Sequence, residues 1–215
     1  RMLYIHPDTF PMDLIDLVAE NKKILPYFDI PVQHADRDVL KAMRRSGDGE
    51  KYGELFRKIR EKNPDAVIRT TLMLGFPGED RAAFEKLLDF VKTSQPDWMG
   101  SFTYSREEDT PAYSMRNQKD HDKAQRTAKK WQKELEEAQS TITEKRLEKF
   151  VGNTYRALIE EKIEGEDLAI GRIYSQAPDV DGLTVIMGRD LNPGDTVMVG
   201  IRAVRGVDLE GVKID

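Results

Sequence analysis

Strand-like and helix-like segments alternate over the first half of this chain, and this alternation limits the folds that are open to it. Four strand-like segments, at residues 2–6, 27–33, 66–76 and 98–105, are separated by segments with apolar residues at helical spacing. Strands separated by helices in this way are typical of a parallel sheet. The sequence therefore predicts an α/β fold, either an open sheet or part of a (β/α) barrel.

The second half of the chain has a different pattern. Residues 121–150 contain many helix formers and neither glycine nor proline, which predicts one long helix. From residue 151 onward, five short strand-like segments are separated by turns rich in Gly, Pro and Asp. That pattern predicts a small five-stranded antiparallel β-barrel that is OB-like. We therefore expect two domains, at residues 1–150 and 151–215.

Composition narrows the class of protein. Charged residues make up 34% of the 215 positions and hydrophobic residues 39%, as expected for a soluble, cytoplasmic globular protein. No apolar run approaches the roughly 18 residues that span a membrane, and no signal peptide is visible. The chain has no cysteine and hence no thiolate that could hold a metal or a cluster. It opens at Arg1 within a strand-like segment, which indicates a fragment; a complete small protein is the alternative.

The segment LGFPGED (74–80) lies between a predicted buried strand and a predicted helix. Gly75 and Gly78 permit close approach of the backbone, and the amide groups at a helix start favour anions. In parallel sheets, ligands bind at the edge where the strands end, which we call the rim. The segment is therefore a candidate binding loop, and a plain strand-to-helix turn is the alternative.

Polar side chains follow the ends of other predicted strands. His6 ends the first strand, Gln33 and His34 end the second, and Tyr104 and Ser105 lie near the end of the fourth. Two histidines are too few for a catalytic zinc site, which usually has three protein ligands, so no metal site is predicted. The histidines are expected to contact a substrate at the rim or to form structural hydrogen bonds.

Three further positions have simpler expectations. His121 begins the long predicted helix, where a solvated surface position is expected, and Phe102 is expected to pack in the core. Arg44 and Arg45 end a short predicted helix, where they would pair with the helix C-terminus. A clamp for a carboxylate or a phosphate is the functional alternative for these two arginines.

Five segments occur together in an order and spacing that resemble those of one family: RMLYIHP, YFDIPVQH, VLKAMRRSG, IRTTLMLGFPGE and FTYSREEDTPAY. The chain resembles the C-terminal two-thirds of a radical S-adenosylmethionine (SAM) methylthiotransferase, and the resemblance covers essentially all 215 residues. It implies that the first part of the chain forms the last four strands of a radical SAM (β/α) barrel. The remainder resembles a TRAM domain.

The resemblance also distinguishes between branches of the family. Relatives that modify transfer RNA carry an L-P-x-Q-S-G-S form at the second strand, whereas this chain has DIPVQHA at residues 29–35. The latter resembles the RimO type, which methylthiolates the β-carbon of an aspartate in protein twelve of the small ribosomal subunit. The segment APDVDG (177–182) also resembles that branch.

The charge of the C-terminal part favours the same branch independently. Residues 151–215 hold seven Lys and Arg against twelve Asp and Glu, a net charge of −5. An RNA-binding module is expected to be basic, because neutralisation of phosphates dominates such affinity. An acidic module instead complements a basic ribosomal protein, so nucleic acid is not the expected partner. The alternatives are a tRNA-modifying relative and a non-catalytic interaction module.

The resemblance implies SAM and two 4Fe–4S clusters as cofactors of the longer protein, which also needs a reductant and a sulfur donor. The cysteines that hold both clusters in the family are absent from this chain. We therefore expect no cluster in the chain and no activity from it alone.

Site residues are carried over in the same way. The resemblance places the backbone of Gly75, Phe76 and Pro77 near the adenine of SAM. It adds Tyr104 and Arg69 to the cofactor contacts, although a structural ion pair is the alternative for Arg69, which lies inside a strand. It assigns the substrate side of the rim to four residues: Gln33, His34, Ser105 and His6.

Overall fold

The structure, a computed structural model, describes residues 1–214. Contacts divide the chain into two compact units, Met2–Gln139 and a second that runs from Ser140 to the end of the described chain and includes Arg1. The division falls within the long helix, and the predicted domain boundary at residue 150 stays a prediction. Within residues 1–214, no helix combines the length and apolar character needed to span a membrane.

The first unit is built on a three-stranded parallel sheet in the order β1 (Tyr27–Asp29), β2 (Val67–Leu74) and β3 (Trp98–Thr103). Tyr27 is the register partner of Val67, and Arg69 is that of Trp98. The predicted parallel α/β arrangement is therefore confirmed.

The first of the four predicted strands, at residues 2–6, is reduced to a single parallel bridge between Met2 and Phe28. Tyr4 adopts a positive φ of 59°, which interrupts the extended conformation that a strand requires. The amide of Ile5 still donates to the Asp29 carbonyl at 2.9 Å. The prediction of a full strand there was wrong, because the apolar pattern does not reveal the backbone of Tyr4.

Aspartates begin three of the helices. The side chains of Asp36, Asp48 and Asp80 accept hydrogen bonds from amides of the first helical turn, so each helix begins directly after its cap. The helices are α1 (Asp13–Glu20), α2 (Arg37–Ala42), α3 (Gly49–Lys62), α4 (Arg81–Ser94) and α5 (Gln118–Leu147).

The two faces of β2 differ in burial. Ile68, Thr70, Leu72 and Leu74 are fully buried, whereas the alternate residues Arg69, Thr71 and Met73 are only half-buried. Because successive strand residues point to opposite faces, one face of β2 belongs to the core and the other is partly open. The open face runs toward the rim, where β2 ends at Leu74.

The second unit contains a closed barrel with strand order β4-β5-β6-β8-β7, as the sequence predicted. The strands are β4 (Thr154–Lys162), β5 (Leu168–Arg172), β6 (Thr184–Met187), β7 (Thr196–Arg205) and β8 (Asp208–Ile214). One detail differs: β6 and β8 pair in parallel, whereas all other neighbours are antiparallel. Five strands in a closed ring cannot alternate in direction throughout, so a wholly antiparallel barrel of this size is geometrically excluded.

Candidate functional site

The rim of the sheet is formed by the chain that follows β1, β2 and β3. Residues 30–36, 75–80 and 104–117 all leave the carboxyl ends of these parallel strands. Ligands of parallel α/β proteins bind at this edge. Seven of the nine predicted site residues lie in these three segments, and Arg69 and His6 lie outside them.

Gln33 is clamped against β2 in a conformation that glutamine rarely adopts. Its amide donates to the Thr71 carbonyl at 2.9 Å, and its carbonyl accepts from the Met73 amide at 2.8 Å. Its φ is +69°, in the left-handed region that disfavours residues with a Cβ. Its side-chain oxygen Oε1 is buried and has no hydrogen-bond partner among the described residues.

His34 is fully buried and uses both ring nitrogens within the chain. Its Nδ1 accepts from the Asp36 amide at 2.9 Å, so the proton of the neutral ring lies on Nε2. Nε2 donates to Glu79 Oε1 at 3.2 Å, and that carboxylate side chain is also fully buried. His34 thus reaches the neighbouring loop through Glu79, and its proposed contact with a substrate stays a prediction.

The loop after β2 is held by two charged side chains. The Gly75 amide donates to Glu79 Oε2, and Arg116 donates to the carbonyls of Gly75 at 2.9 Å and Phe76 at 3.3 Å. Gly75 has a φ of +81°, and a Cβ there would lie 2.8 Å from the Cβ of Ala128. Only glycine fits this position without displacing α5. The proposed adenine contact by this backbone stays a prediction; the Gly75 amide and the carbonyls of Gly75 and Phe76 already have partners within the chain.

Sequence reasoning missed Glu79 as a site residue. It stands directly after GFPG and one residue before the cap of α4, where an acidic residue is ordinary, and its partner His34 lies 45 positions earlier. No local pattern pairs the two residues. The signal that exists is a histidine at one strand end and a carboxylate after the next strand, which parallel topology brings to the same edge.

Asp36 continues the network on the outer side of His34. Burial raises the pKa of Asp36, but hydrogen bonds from Lys86 and from the amides of Val39 and Asp38 outweigh this effect. The pKa therefore lies below its usual value, and the carboxylate is ionised near neutral pH. The Lys86 Nζ lies 2.6 Å from Oδ2. The buried network, comprising His34, Asp36, Glu79 and the Gly75 amide, is thus fully paired.

Tyr104 is buried next to Phe76 and His121, with ring centroids 5.1 and 5.9 Å away. Its hydroxyl is buried without a hydrogen-bond partner in residues 1–214. His121 is only 8% exposed, so the expectation of a solvated surface position was wrong. The start of α5 packs against the Tyr104 ring, which sequence spacing alone does not show. Pro77 is buried, whereas Ser105 is exposed and donates to Glu107.

Two of the predicted residues lie away from this cluster. Arg69 forms an ion pair with Asp29 at 3.2 Å and donates to Thr71 Oγ1 at 3.1 Å, as in the structural alternative. His6 is exposed, and its Nδ1 accepts from the Asp8 amide at 3.3 Å. Their proposed contacts with cofactor and substrate stay predictions.

A cavity of about 500 Å³ opens beside Gln33 and is here called the strand-end cavity. This volume is typical of small-molecule sites. Phe102 is 41% exposed and lines the cavity, so its expected core packing was wrong. The other lining side chains are mainly thioether, aromatic and arginine groups: Gln33, Ala42, Met43, Arg44, Arg45, Met73, Phe76, Thr110, Pro111, Ala112 and Met115.

The rim residues fit a polar organic ligand and do not fit an iron–sulfur cluster. The chain has no cysteine, and residues 1–214 contain no group of three His, Cys, Asp or Glu side chains arranged to hold a metal ion. By contrast, the buried Gln33 oxygen and Tyr104 hydroxyl have no partner there, and Phe102 and Met115 are exposed. Unpaired buried polar atoms beside apolar surface are the features of a site for an organic ligand such as SAM.

Two protein-family models match separate parts of the chain. Residues 1–91 match the radical SAM superfamily, and residues 151–214 match the TRAM domain. Among solved structures, the radical SAM enzyme coproporphyrinogen III oxidase (HemN) from Escherichia coli is 23% identical, with a TM-score of 0.45. That match covers 54% of this chain and 26% of the oxidase. The two family matches show a segment similar to the radical SAM superfamily and a segment similar to the TRAM domain in one chain.

Curated relatives identify the branch. The ribosomal protein uS12 methylthiotransferase RimO of Treponema denticola is 42% identical over all of this chain and 49% of its own length. The enzymes of the same name from Aquifex aeolicus and Thermotoga maritima are 42% and 39% identical over 98% of this chain, which matches 48% and 47% of them. Along its whole length the chain is thus similar to the RimO-type radical SAM methylthiotransferases, and it spans about half the length of these relatives.

Proposed function

We propose that this chain is part of a radical SAM enzyme that methylthiolates the β-carbon of an aspartate in ribosomal protein uS12. The observation that carries the proposal is the 39–42% identity to RimO enzymes along the whole chain. The DIPVQH segment and the acidic TRAM domain support the same branch. Such an enzyme works in the cytoplasm, where ribosomes are assembled.

The proposed cofactors are SAM and two 4Fe–4S clusters, which supply a carbon-centred radical and the transferred sulfur when they are bound. No cysteine of this chain can hold a cluster, so the clusters, the reductant and the sulfur donor must come from outside these 215 residues. The residues proposed to face SAM are Gly75, Phe76, Pro77, Tyr104 and Arg69. Those proposed to face the substrate are Gln33, His34, Ser105 and His6.

The proposed partner of the TRAM domain is the basic ribosomal protein. The net charge of −5 on residues 151–215 supports this choice, because it repels phosphates and attracts Lys and Arg side chains. A tRNA-modifying activity is the second candidate, since the resembled family also contains relatives that modify transfer RNA. The charge disfavours that alternative.

The test uses the full-length product of the gene with reconstituted clusters, SAM, a reductant and a sulfur source. We expect the mass of uS12 to increase by one methylthio group in place of one hydrogen atom, with the change located at an aspartate. Modification of tRNA with none on uS12 would overturn the proposal in favour of the second candidate.

A matched reaction with the 215-residue chain alone tests the proposed division of labour. Without cluster ligands, this chain should give no modified uS12 under the same conditions. Product from the isolated chain would show that the cysteine-free part is sufficient, and would contradict the proposal.

A further inference from the structure

Two residues that line the strand-end cavity have strained backbones. Gln33 has a φ of +69° and Arg44 a φ of +61°. A non-glycine residue in this region costs about 1–2 kcal/mol, and such residues concentrate at binding and catalytic sites. Both residues line the same cavity at the rim, although they come from different segments of the chain.

The two adjacent arginines of this cavity differ in their partners. Arg45 donates to the Pro31 carbonyl at 3.1 Å, and its charge also acts on the Tyr52 hydroxyl. The side chain of Arg44 is exposed and forms no hydrogen bond or ion pair with any described residue. Arg45 is therefore committed to the fold, whereas Arg44 presents an uncompensated positive charge at the cavity.

Gln33, which lines the cavity, also carries an acceptor without a donor. Gln33 Oε1 is buried and unpaired in residues 1–214, while both peptide groups of Gln33 are held by β2. Leaving such a buried acceptor unpaired costs about 1–3 kcal/mol. A ligand that brings an N–H group would recover this free energy, and a carboxylate on the same ligand would pair with Arg44.

We propose that the strand-end cavity binds the acidic side chain of the peptide substrate, with Arg44 pairing its carboxylate and Gln33 Oε1 accepting a peptide N–H. The proposal rests on the proposed function and adds the residues that select an acidic target. An aspartate residue carries both of these groups close together, a carboxylate on its side chain and an N–H in its backbone. Met43, Met73 and Phe102 line the same cavity and give it the apolar surface against which the rest of a peptide would pack.

The test measures binding of two peptides to the 215-residue chain by fluorescence anisotropy. One peptide is taken from uS12 around the target aspartate, and the other carries asparagine at that position. The chain variants are R44Q, R44K and the control R126Q, since Arg126 is an exposed arginine on α5 outside the cavity. We expect R44Q to weaken binding of the aspartate peptide about 10-fold, which corresponds to the loss of one charge-assisted hydrogen bond. R44K should restore part of this loss, and R126Q should have no effect.

Three results would overturn the proposal. The first is equal binding of both peptides to the unaltered chain, and the second is the absence of binding to either. The third is an R44Q variant that weakens binding of SAM but not of the peptide, because the carboxylate at Arg44 would then be that of the cofactor. The mass test on uS12 with the full-length enzyme decides the proposed function separately from all three.

Discussion

Gln33 and His34 are neighbours in sequence, yet their surroundings are opposite. Both nitrogens of His34 are paired, and its partner Glu79 is paired in turn with the Gly75 amide. Gln33 lies in a strained conformation and lines the strand-end cavity together with Arg44; within residues 1–214 neither the Gln33 side-chain oxygen nor the Arg44 side chain has a partner. The difference separates two roles: the buried network fixes the loops, and the cavity retains the polar groups that a ligand would satisfy.

The comparison is tested most strongly by removing the carboxylate of the buried network. Glu79→Ala should lower the free energy of unfolding by about 3 kcal/mol, because the His34 Nε2–H and the Gly75 amide both lose their acceptor. Urea unfolding measures this change. Glu79→Gln keeps one acceptor oxygen and should lose less; equal losses in the two variants would show that pairing is not the cause.

The next effect concerns the glycine that this network holds. Gly75→Ala should cost about 2 kcal/mol, from the positive φ and from the contact with Ala128. Gly78→Ala is the matched control, because Gly78 also has a positive φ but a Cβ added there would meet no atom within 4 Å. Its cost should be about 1 kcal/mol, from strain alone. Equal losses of unfolding free energy in the two variants, measured by urea unfolding, would mean that α5 shifts to accommodate the added Cβ without a cost in stability.

The charged end of the network should respond to pH. The pKa of Asp36 lies below its usual value, so its ionised form adds stability above about pH 4, the ordinary Asp range, and this is lost as pH falls through the folded-state pKa. Asp36→Ala should cost about 1 kcal/mol at pH 7 through loss of the helix cap.

Asp36→Asn separates the cap from the charge. Asparagine keeps an acceptor for the amides of α2 but loses the pairing with Lys86, whose side chain is largely exposed. The Asp36→Asn substitution should lower the free energy of unfolding by less than about 1 kcal/mol at pH 7, and this loss should shrink on acidification. A difference from the unaltered chain that stays constant between pH 7 and pH 3 would contradict the account.

The smallest effect on stability is expected for a substitution at the strand-end cavity. Gln33→Gly removes the strain of a positive φ but makes the unfolded chain more flexible, so unfolding free energy should change by less than about 1 kcal/mol. The same variant should weaken binding of the aspartate peptide. A large loss of stability would place Gln33 among the residues that hold the fold.

Much of the architecture could be predicted from the sequence. The 30-residue helix α5 follows from a segment without glycine or proline, and three aspartates mark the starts of helices. These are local signals. The missing first strand depended on the backbone of Tyr4, and the parallel pairing of β6 with β8 depended on closure of the ring. Neither is encoded in hydrophobic periodicity.

The candidate site was predicted by position but not by role. Parallel topology placed Gln33, His34 and Tyr104 at one edge, as expected. The sequence could not show that His34 is buried against Glu79, because a contact between residues 45 positions apart leaves no local pattern. Nor could it separate Arg44 from Arg45, which differ in backbone conformation and in what their guanidinium groups contact.

The most direct test of the contrast between the two sides is NMR of the chain during titration with the aspartate peptide. Side-chain amide signals of Gln33 and the Nε signal of Arg44 should shift with peptide concentration, while the His34 ring signals stay in place. Shifts of the His34 ring with none at Gln33 and Arg44 would contradict the account, because the ligand would then act on the buried network.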